Sequence, residues 1–374
     1  MHIVYAIDRL GSGGAQRQVV ELALSMARSD GVSVTLLAYP HANFFAERLA
    51  TGGVRVVQIA KSGKLDLRYL LRLRSWIARN QVDVIHAFLL GPVLWSFLAI
   101  RLLRRSSRPT LLLAERNVIH GIPGWQRWLK RLLYTRADAV TTNSRTAADE
   151  TCDELGVARE RVHYLANAID VEAWDHAASA EPSLEIAPDR FHLAVIGRIA
   201  PQKNHLLVLK ALSELDRERI SQWCVWFVGD DRIHTDLAAR IRREITQRGL
   251  EDIVRLAPPI LDMPAFMSRI DGLLLPSSRE GFPNVVLEAM TLHVPVVAAA
   301  VGETTHMFEP DRSGIRIEPV TPAGVALAMR RLYELAADER AEMVAQARAI
   351  VEARYSIATV TSQHLDLYQR VARS

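Results

Sequence analysis

The chain of 374 residues carries only two cysteines, Cys152 and Cys224. Far apart and set among ordinary globular residues, they exclude a disulfide scaffold and read as small buried hydrophobes of a protein kept in a reducing compartment. Long apolar runs are missing as well. The longest, Phe88 to Ile100, is about thirteen residues against the roughly twenty that span a bilayer. Gly91, Pro92 and Ser96 interrupt it, so it reads as a buried helix. No clustered His, Cys or acidic set suggests a metal, and no cofactor is expected. No repeat or low-complexity tail appears. MHIVYAIDRL lacks a basic n-region and runs straight into a glycine loop, which predicts a first strand, no signal peptide and a cytoplasmic protein.

With 49% hydrophobic and 24% charged residues, the chain can build two packed cores and is too polar for a membrane bundle. Its net charge of +4 hides an asymmetry: residues 1–170 hold 23 Lys+Arg against 14 Asp+Glu, net +9, and residues 171–374 hold 23 against 28, net −5. The first half is therefore expected to face an anionic surface or acceptor. Nucleic acid is excluded as a partner because the cations are spread over several elements and no nucleic-acid module is present.

Short β-branched or apolar runs at Ile3–Ile7, Val32–Ala38, Val54–Ile59, Val84–Ala87, Leu111–Ala114 and Ala139–Thr142 alternate with helical stretches, the rhythm of parallel βαβ units. After Ile169 the pattern breaks into VEAWDHAASAEPSLEIAPDR, and strand periodicity resumes at Phe191–Ile196. The domains are accordingly placed at 1–170 and 190–356. Further strands are expected near Val225–Val228, Ile253–Leu256, Gly272–Leu275 and Val294–Ala298. The fold class is α/β, with ligands outside the carboxyl ends of the strands.

Three segments can carry chemistry. Gly11-Ser12-Gly13-Gly14-Ala15-Gln16 follows the first strand, either as a tight βα turn or as a loop bringing backbone N–H groups to phosphate or hydroxyl oxygens. A dinucleotide fingerprint needs glycine where Gln16 stands and an acid after the second strand, so a dehydrogenase is disfavoured. Gly197-Arg198-Ile199-Ala200-Pro201-Gln202-Lys203-Asn204 sets two cations after a strand, a solvated pair or a diphosphate clamp. In Glu280-Gly281-Phe282-Pro283-Asn284-Val285-Val286-Leu287-Glu288 the carboxylates stand eight residues apart. Glu280 lies in a strand-end loop and Glu288 inside an apolar helix, where an acid usually has a partner. The N–H groups of Gly281, Phe282 and Asn284 can donate to ligand oxygens.

On EGFPNVVLEAM, GRIAPQKN and GSGGAQ, in this order and spacing, the chain closely resembles the retaining glycosyltransferases of the GT-B fold, family 4 or group 1, over nearly its whole length. The resemblance implies two Rossmann-like parallel-sheet domains facing across a cleft, with a last helix, about 357–374, packing back on the first. It implies that Arg198 and Lys203 hold the donor diphosphate, Glu280 the transferred sugar and Glu288 the ribose, with Gly13 and Gly14 beside the phosphates and acceptor. It implies catalysis without a metal, the acceptor hydroxyl attacking from the face the nucleotide leaves. Many members carry a histidine after the fifth strand of the first domain. Here Glu115, Arg116 and Asn117 follow, with His120 beyond, and these are the candidates in that domain. Gly302-Glu303-Thr304-Thr305-His306 also departs from the usual pattern.

The substrates implied are a nucleotide-sugar donor, UDP before GDP, with its base near Ala257-Pro258-Pro259-Ile260, and a glycan or lipid-linked acceptor. Trp125, Trp128, Leu129, Leu132 and Leu133 recur at helical spacing beside Arg127, Lys130, Arg131 and Arg136, near Arg101, Arg104, Arg105 and Arg108. This is either a core-packed helix or an interfacial one, and residues 125–136 are expected to meet an anionic membrane surface. A GT-B epimerase or phosphorylase and an inactive sugar-binding homologue are the alternative functions.

Overall fold

Central strands of a parallel sheet are covered on both faces, so their sequences are apolar throughout instead of alternating. The computed structural model describes every residue except Ser12, Ala42, Lys64, Asn117, Val118, Arg373 and Ser374. The readings of Ser12, Asn117 and the last two residues therefore lie outside the described residues. The chain divides into two units, Met1–Ala168 with Ile357–Ser374, and Ile169–Ser356. The stretch 171–189 is not a linker: the helix Val171–Ala178, capped by Asp170, packs against helices of the second unit.

The N-terminal unit holds strands β1 (His2–Ala6), β2 (Ser33–Ala38), β3 (Arg55–Gln58), β4 (Val84–Phe88), β5 (Thr110–Glu115), β6 (Ala139–Thr142) and β7 (Val162–Tyr164). All neighbours are parallel, in the order β3-β2-β1-β4-β5-β6-β7. β7 is short and half-buried and gave no sequence signal. Helices Leu67–Arg79, Leu90–Arg101 and Gly124–Tyr134 contribute to one core. The helices Gly14–Met26 and Ile357–Ala372 contribute to the other.

His86, on central strand β4, is fully buried. One ring nitrogen lies 2.8 Å from the Tyr368 hydroxyl and the other 2.8 Å from that of Thr141. Tyr368 in turn donates to Tyr5 at 3.3 Å, and the His364 ring lies 6.1 Å from that of His86. This network fastens the C-terminal helix to the first sheet. Cys224 is buried, whereas Cys152 is only half-buried, with its sulfur accepting from Arg159.

The C-terminal unit holds β8 (Phe191–Ile196), β9 (Trp223–Val228), β10 (Val254–Ala257), β11 (Gly272–Leu275), β12 (Val296–Ala299) and β13 (Ile315–Ile317), again all parallel, in the order β10-β9-β8-β11-β12-β13.

Burial holds His364 at a pKa of about 4, and burial with the nearby His364 and Arg116 holds His86 well below the usual imidazole range. Both folded pKa values lie below the unfolded one, so the stability they contribute is complete above pH 6.5 and is lost as pH falls towards 4. Unfolding of the N-terminal unit in denaturant should thus lose up to about 1.4 kcal/mol per histidine for each pH unit in that window. His364→Leu should flatten that slope; an unchanged slope would show that the histidine does not titrate with folding.

Candidate functional site

In the C-terminal sheet the order reverses between β8 and β11: the chain runs outward from β8 to β9 and β10, and from β11 to β12 and β13 on the other side. Such a switch point opens a crevice at the strands' carboxyl ends. The loops that follow β8 and β11 meet there. Ser278 N–H donates to the Gln202 carbonyl at 2.9 Å, and Asn204 Nδ2 donates to that of Pro276 at 2.8 Å. Lys203, ending the turn Pro201–Lys203, donates from Nζ to Glu280 Oε1 at 2.7 Å. The two side chains keep only 15% and 13% of their surface exposed. Two residues the sequence assigned separately, one to phosphate and one to sugar, are thus an ion pair.

Glycines let these loops approach. A Cβ on Gly229, just after β9, would lie 1.9 Å from the Gly197 carbonyl oxygen. One on Gly302, after β12 with φ +55°, would lie 2.0 Å from that of Glu280. No side chain fits either place, and Gly302 also has the left-handed backbone that favours glycine. Glu303 N–H donates to the Gly281 carbonyl at 2.9 Å, closing the β12 loop onto Glu280.

Arg198 is exposed and acts on Asp230, whose carboxyl is held at about 2 by the bidentate Arg232 and, less strongly, by Arg198. Glu288 is buried in the helix Asn284–Thr291 among Val285, Val286, Leu287, Ala289 and Met290. The Phe282 ring packs edge-on against Tyr355 at 5.8 Å, so its side chain belongs to the core and only its backbone can serve a ligand. Gly281 and Asn284 flank it where the helix begins, at the positive end of the helix dipole. A pocket of about 160 Å³ opens beside Gly229, walled by Phe227, Asp231, Leu256, Ala257 and Pro258.

Three residues here escaped the sequence reading as site components. His205 and Ser277 are buried, and neither imidazole nitrogen of His205 nor the Ser277 hydroxyl has a partner among the described residues. Burial and the Lys203 charge lower the His205 pKa to about 4, so its ring is neutral. Glu303 is fully buried. A polar ring opening the apolar run LLVL and an acid beside Val301 were the available signals.

In the N-terminal unit Gly13 caps the helix Gly14–Met26, and Gly13 and Gly14 are exposed at its start. Gln18 anchors that helix by bonding Ala168 in both directions, at 2.9 and 2.8 Å. Glu115 ends β5, is buried, and accepts from Lys130 Nζ at 2.5 Å. Arg116 donates to Asn167 and lies over the Phe88 ring; burial lowers its pKa to about 10, which leaves it cationic at neutral pH. His120 does not join them: its side chain is 83% exposed and faces Glu154 at 3.5 Å. Lys130, counted with the cations of residues 125–136 expected to meet a membrane surface, points inward to Glu115 instead. Arg127 is tied to Glu154 at 3.3 Å.

The fold these two units define is GT-B. Residues 12–173 match the family model described as Glycosyltransferase Family 4, and residues 178–350 match that of Glycosyl transferases group 1. The chain belongs to this family. It is 29% identical over 252 residues to an alpha-D-kanosaminyltransferase of Streptomyces kanamyceticus, covering 66% of this chain and 64% of the relative. It is 30% identical over 218 residues to a D-inositol 3-phosphate glycosyltransferase of Kineococcus radiotolerans, covering 53% of this chain and 49% of that one. The match thus spans 64% and 49% of the length of these curated relatives, less than two thirds of either. The crystal structure of Anabaena Alr3699/HepE in complex with UDP and glucose superposes with a TM-score of 0.85 at 19% identity, covering 99% of this chain and 100% of that one.

Gly302→Ala should push the Glu280 loop away and destabilise the C-terminal unit by about 2 kcal/mol, the combined effect of backbone strain and overlap. Denaturant unfolding reads this directly, and a change below about 0.5 kcal/mol would mean the β11 and β12 loops are not in contact.

Proposed function

We propose that the chain is a retaining, metal-independent glycosyltransferase that moves a sugar from a UDP-sugar, or second a GDP-sugar, to a glycan or lipid-linked acceptor in cell-surface polysaccharide or glycolipid synthesis. The observation that carries this reading is the Lys203–Glu280 pair at the switch point. A cation and a carboxylate side by side, with Arg198 nearby and a helix N-terminus at Asn284, suit a ligand that is anionic at one atom and bears hydroxyls next to it. A nucleotide-sugar is such a ligand. Lys203 and Arg198 neutralise the charge that grows on the leaving diphosphate, Glu280 accepts from sugar hydroxyls, and Glu288 accepts from the ribose. The pocket at Ala257 and Pro258 receives the base. The acceptor hydroxyl attacks from the face the nucleotide leaves, and the departing phosphate takes its proton. The UDP and glucose named for the Anabaena structure and the sugar transfer named for both relatives agree with this assignment.

UDP at a hundred times its dissociation constant should stabilise the protein by about 2.7 kcal/mol, more than GDP or ADP at equal concentration. No response to any nucleoside diphosphate would overturn the donor reading. Lys203→Ala and Arg198→Ala should each cut turnover on the order of a hundredfold. Glu288→Gln should weaken bare UDP, while Glu280→Gln should spare it; calorimetry showing equal losses would break the division of roles.

The acceptor side is proposed to work at the inner face of a membrane. No helix among the described residues is long and apolar enough to cross one. The helices Leu67–Arg79, Leu90–Arg101 and Gly124–Tyr134, packed in succession on one sheet face, contain no Asp or Glu. Their outer side exposes Trp125 and Trp128, at 62% and 66%, with Leu67 and Leu71, among Arg68, Arg72, Arg101 and Arg131. Tryptophan beside arginine is the composition of an interfacial surface, and each cation near anionic lipid contributes about 1 kcal/mol. Wild-type protein should co-sediment with phosphatidylserine vesicles at low salt. Trp125→Ser with Trp128→Ser, or Arg131→Glu with Arg101→Glu, should lower binding at least tenfold, and high salt should do the same. If the unaltered protein ignores these vesicles, the surface is not a membrane face.

A further inference from the structure

The turn that carries Lys203 runs through Asn204 into the helix His205–Ser213, whose first residue departs from the apolar run behind it. His205 is only 2% exposed, and neither of its ring nitrogens has a partner among the described residues. The ring meets that of Phe227 edge-on, with centroids 4.9 Å apart, so the space around it would suit a phenyl ring. A buried polar group without a partner is destabilising, and an apolar residue of the same shape would remove that cost. The imidazole thus stands here against stability. Ser277 repeats the pattern, with a buried hydroxyl that has no partner among the described residues. Asn204, just before His205, donates to the carbonyl of Pro276, just before Ser277, so the two unused groups flank the hydrogen bond that joins the loops.

The charge beside His205 defines what its ring can do. Burial and the Lys203 ammonium keep the imidazole neutral, and a neutral imidazole has one nitrogen free to accept a hydrogen bond. Lys203 brings three N–H donors, of which one goes to Glu280 at 2.7 Å. With 15% of the lysine side chain exposed, water has little access to the others. In the donor complex proposed above, the diphosphate takes a second donor while the sugar hydroxyls compete for Glu280. An ammonium whose carboxylate is drawn away needs another acceptor on the protein side to stay in place.

We propose that His205 is a positioning residue for Lys203: its neutral imidazole accepts from the ammonium, directly or through one water, when Glu280 turns to the sugar, and so keeps Lys203 on the leaving diphosphate. The proposal rests on the glycosyltransferase reading and adds to it a residue that touches no part of the donor. A bare nucleoside diphosphate leaves the Lys203–Glu280 pair intact and makes no call on His205. A nucleotide-sugar does.

The test is calorimetry on the full chain with three pairs of probes, UDP against UDP-glucose, UDP against UDP-N-acetylglucosamine and GDP against GDP-mannose, carried forward with the pair that binds the unaltered protein most tightly. Denaturant unfolding is followed on the same samples. His205→Phe should raise the unfolding midpoint, bind the bare nucleotide within about twofold of the unaltered protein and bind the nucleotide-sugar about tenfold more weakly, the loss of one hydrogen bond to a charged group. A variant that gains stability does not lose one ligand and keep the other through a damaged fold. His205→Gln or His205→Asn, whose amide oxygen replaces one ring nitrogen as acceptor, should bring the nucleotide-sugar back to within about threefold. If His205→Phe binds the nucleotide-sugar as tightly as the unaltered protein, if it loses the bare nucleotide to the same extent, or if neither amide restores binding, Lys203 does not use the imidazole and the proposal is wrong. The donor reading fails by a different result, no binding of any probe to the unaltered protein, and this proposal falls with it.

Discussion

The contact of backbone with backbone at the ends of β8, β9, β11 and β12 is the constraint on which the site depends. Parallel strands all finish at the same edge of a sheet, so their following loops compete for one small space. Gly229 against Gly197, and Gly302 against Glu280, show how tightly that space is filled. Any side chain at Gly229 or Gly302 would separate loops whose approach brings Lys203 to Glu280. The ion pair follows from loop packing, and the packing follows from missing Cβ atoms.

Each unit carries a lysine–glutamate pair at the carboxyl end of a sheet strand: Lys203 with Glu280, and Lys130 with Glu115. Hydrophobic residues of similar volume would stabilise such positions as well or better. Ion pairs kept there make sense where a polar ligand enters, since the ligand's own charges and hydroxyls can replace one partner without leaving the other unsatisfied. Lys203 has the neutral His205 beyond it and the buried Ser277 close to its loop, groups with unfilled hydrogen-bonding capacity that a purely structural pair would not need. The two pairs differ in surroundings. Around Lys203 the loops supply backbone amides, which suit many oxygens at once, whereas around Lys130 the walls are leucines and an isoleucine.

Much of this was legible in the sequence, for identifiable reasons. The inner strands of both sheets announce themselves by continuous apolar runs and β3 and β10 by shorter ones broken by a charge, whereas β7 and β13 are three-residue edge strands too short to show a pattern. Arg198, Lys203, Glu280 and Glu288 stood out because their types and spacing around glycine and proline are unusual. Their pairing did not, since Lys203 and Glu280 lie 77 positions apart and only the sheet order brings them together. The join between the units was misplaced because an Ala- and Pro-rich stretch looks like a linker even when a capped helix within it packs onto its own unit.

Lys130 shows how a helix can be misread by counting cations instead of assigning them to faces. Trp125, Trp128 and Leu132 follow one stripe at spacings of three and four, and a lysine two residues past Trp128 is turned by about 200° from it. It belongs with Gln126 and Tyr134, at spacings of four, and those are the residues it joins beside Glu115. The acid-free character of the whole helical layer was equally present in the sequence but became visible only once the sheet order put the helices Leu67–Arg79, Leu90–Arg101 and Gly124–Tyr134 side by side. A net charge of +9 over 170 residues could have been spread evenly. The topology instead gathers a large share of it on one face, while Lys130 turns inward to a buried carboxylate.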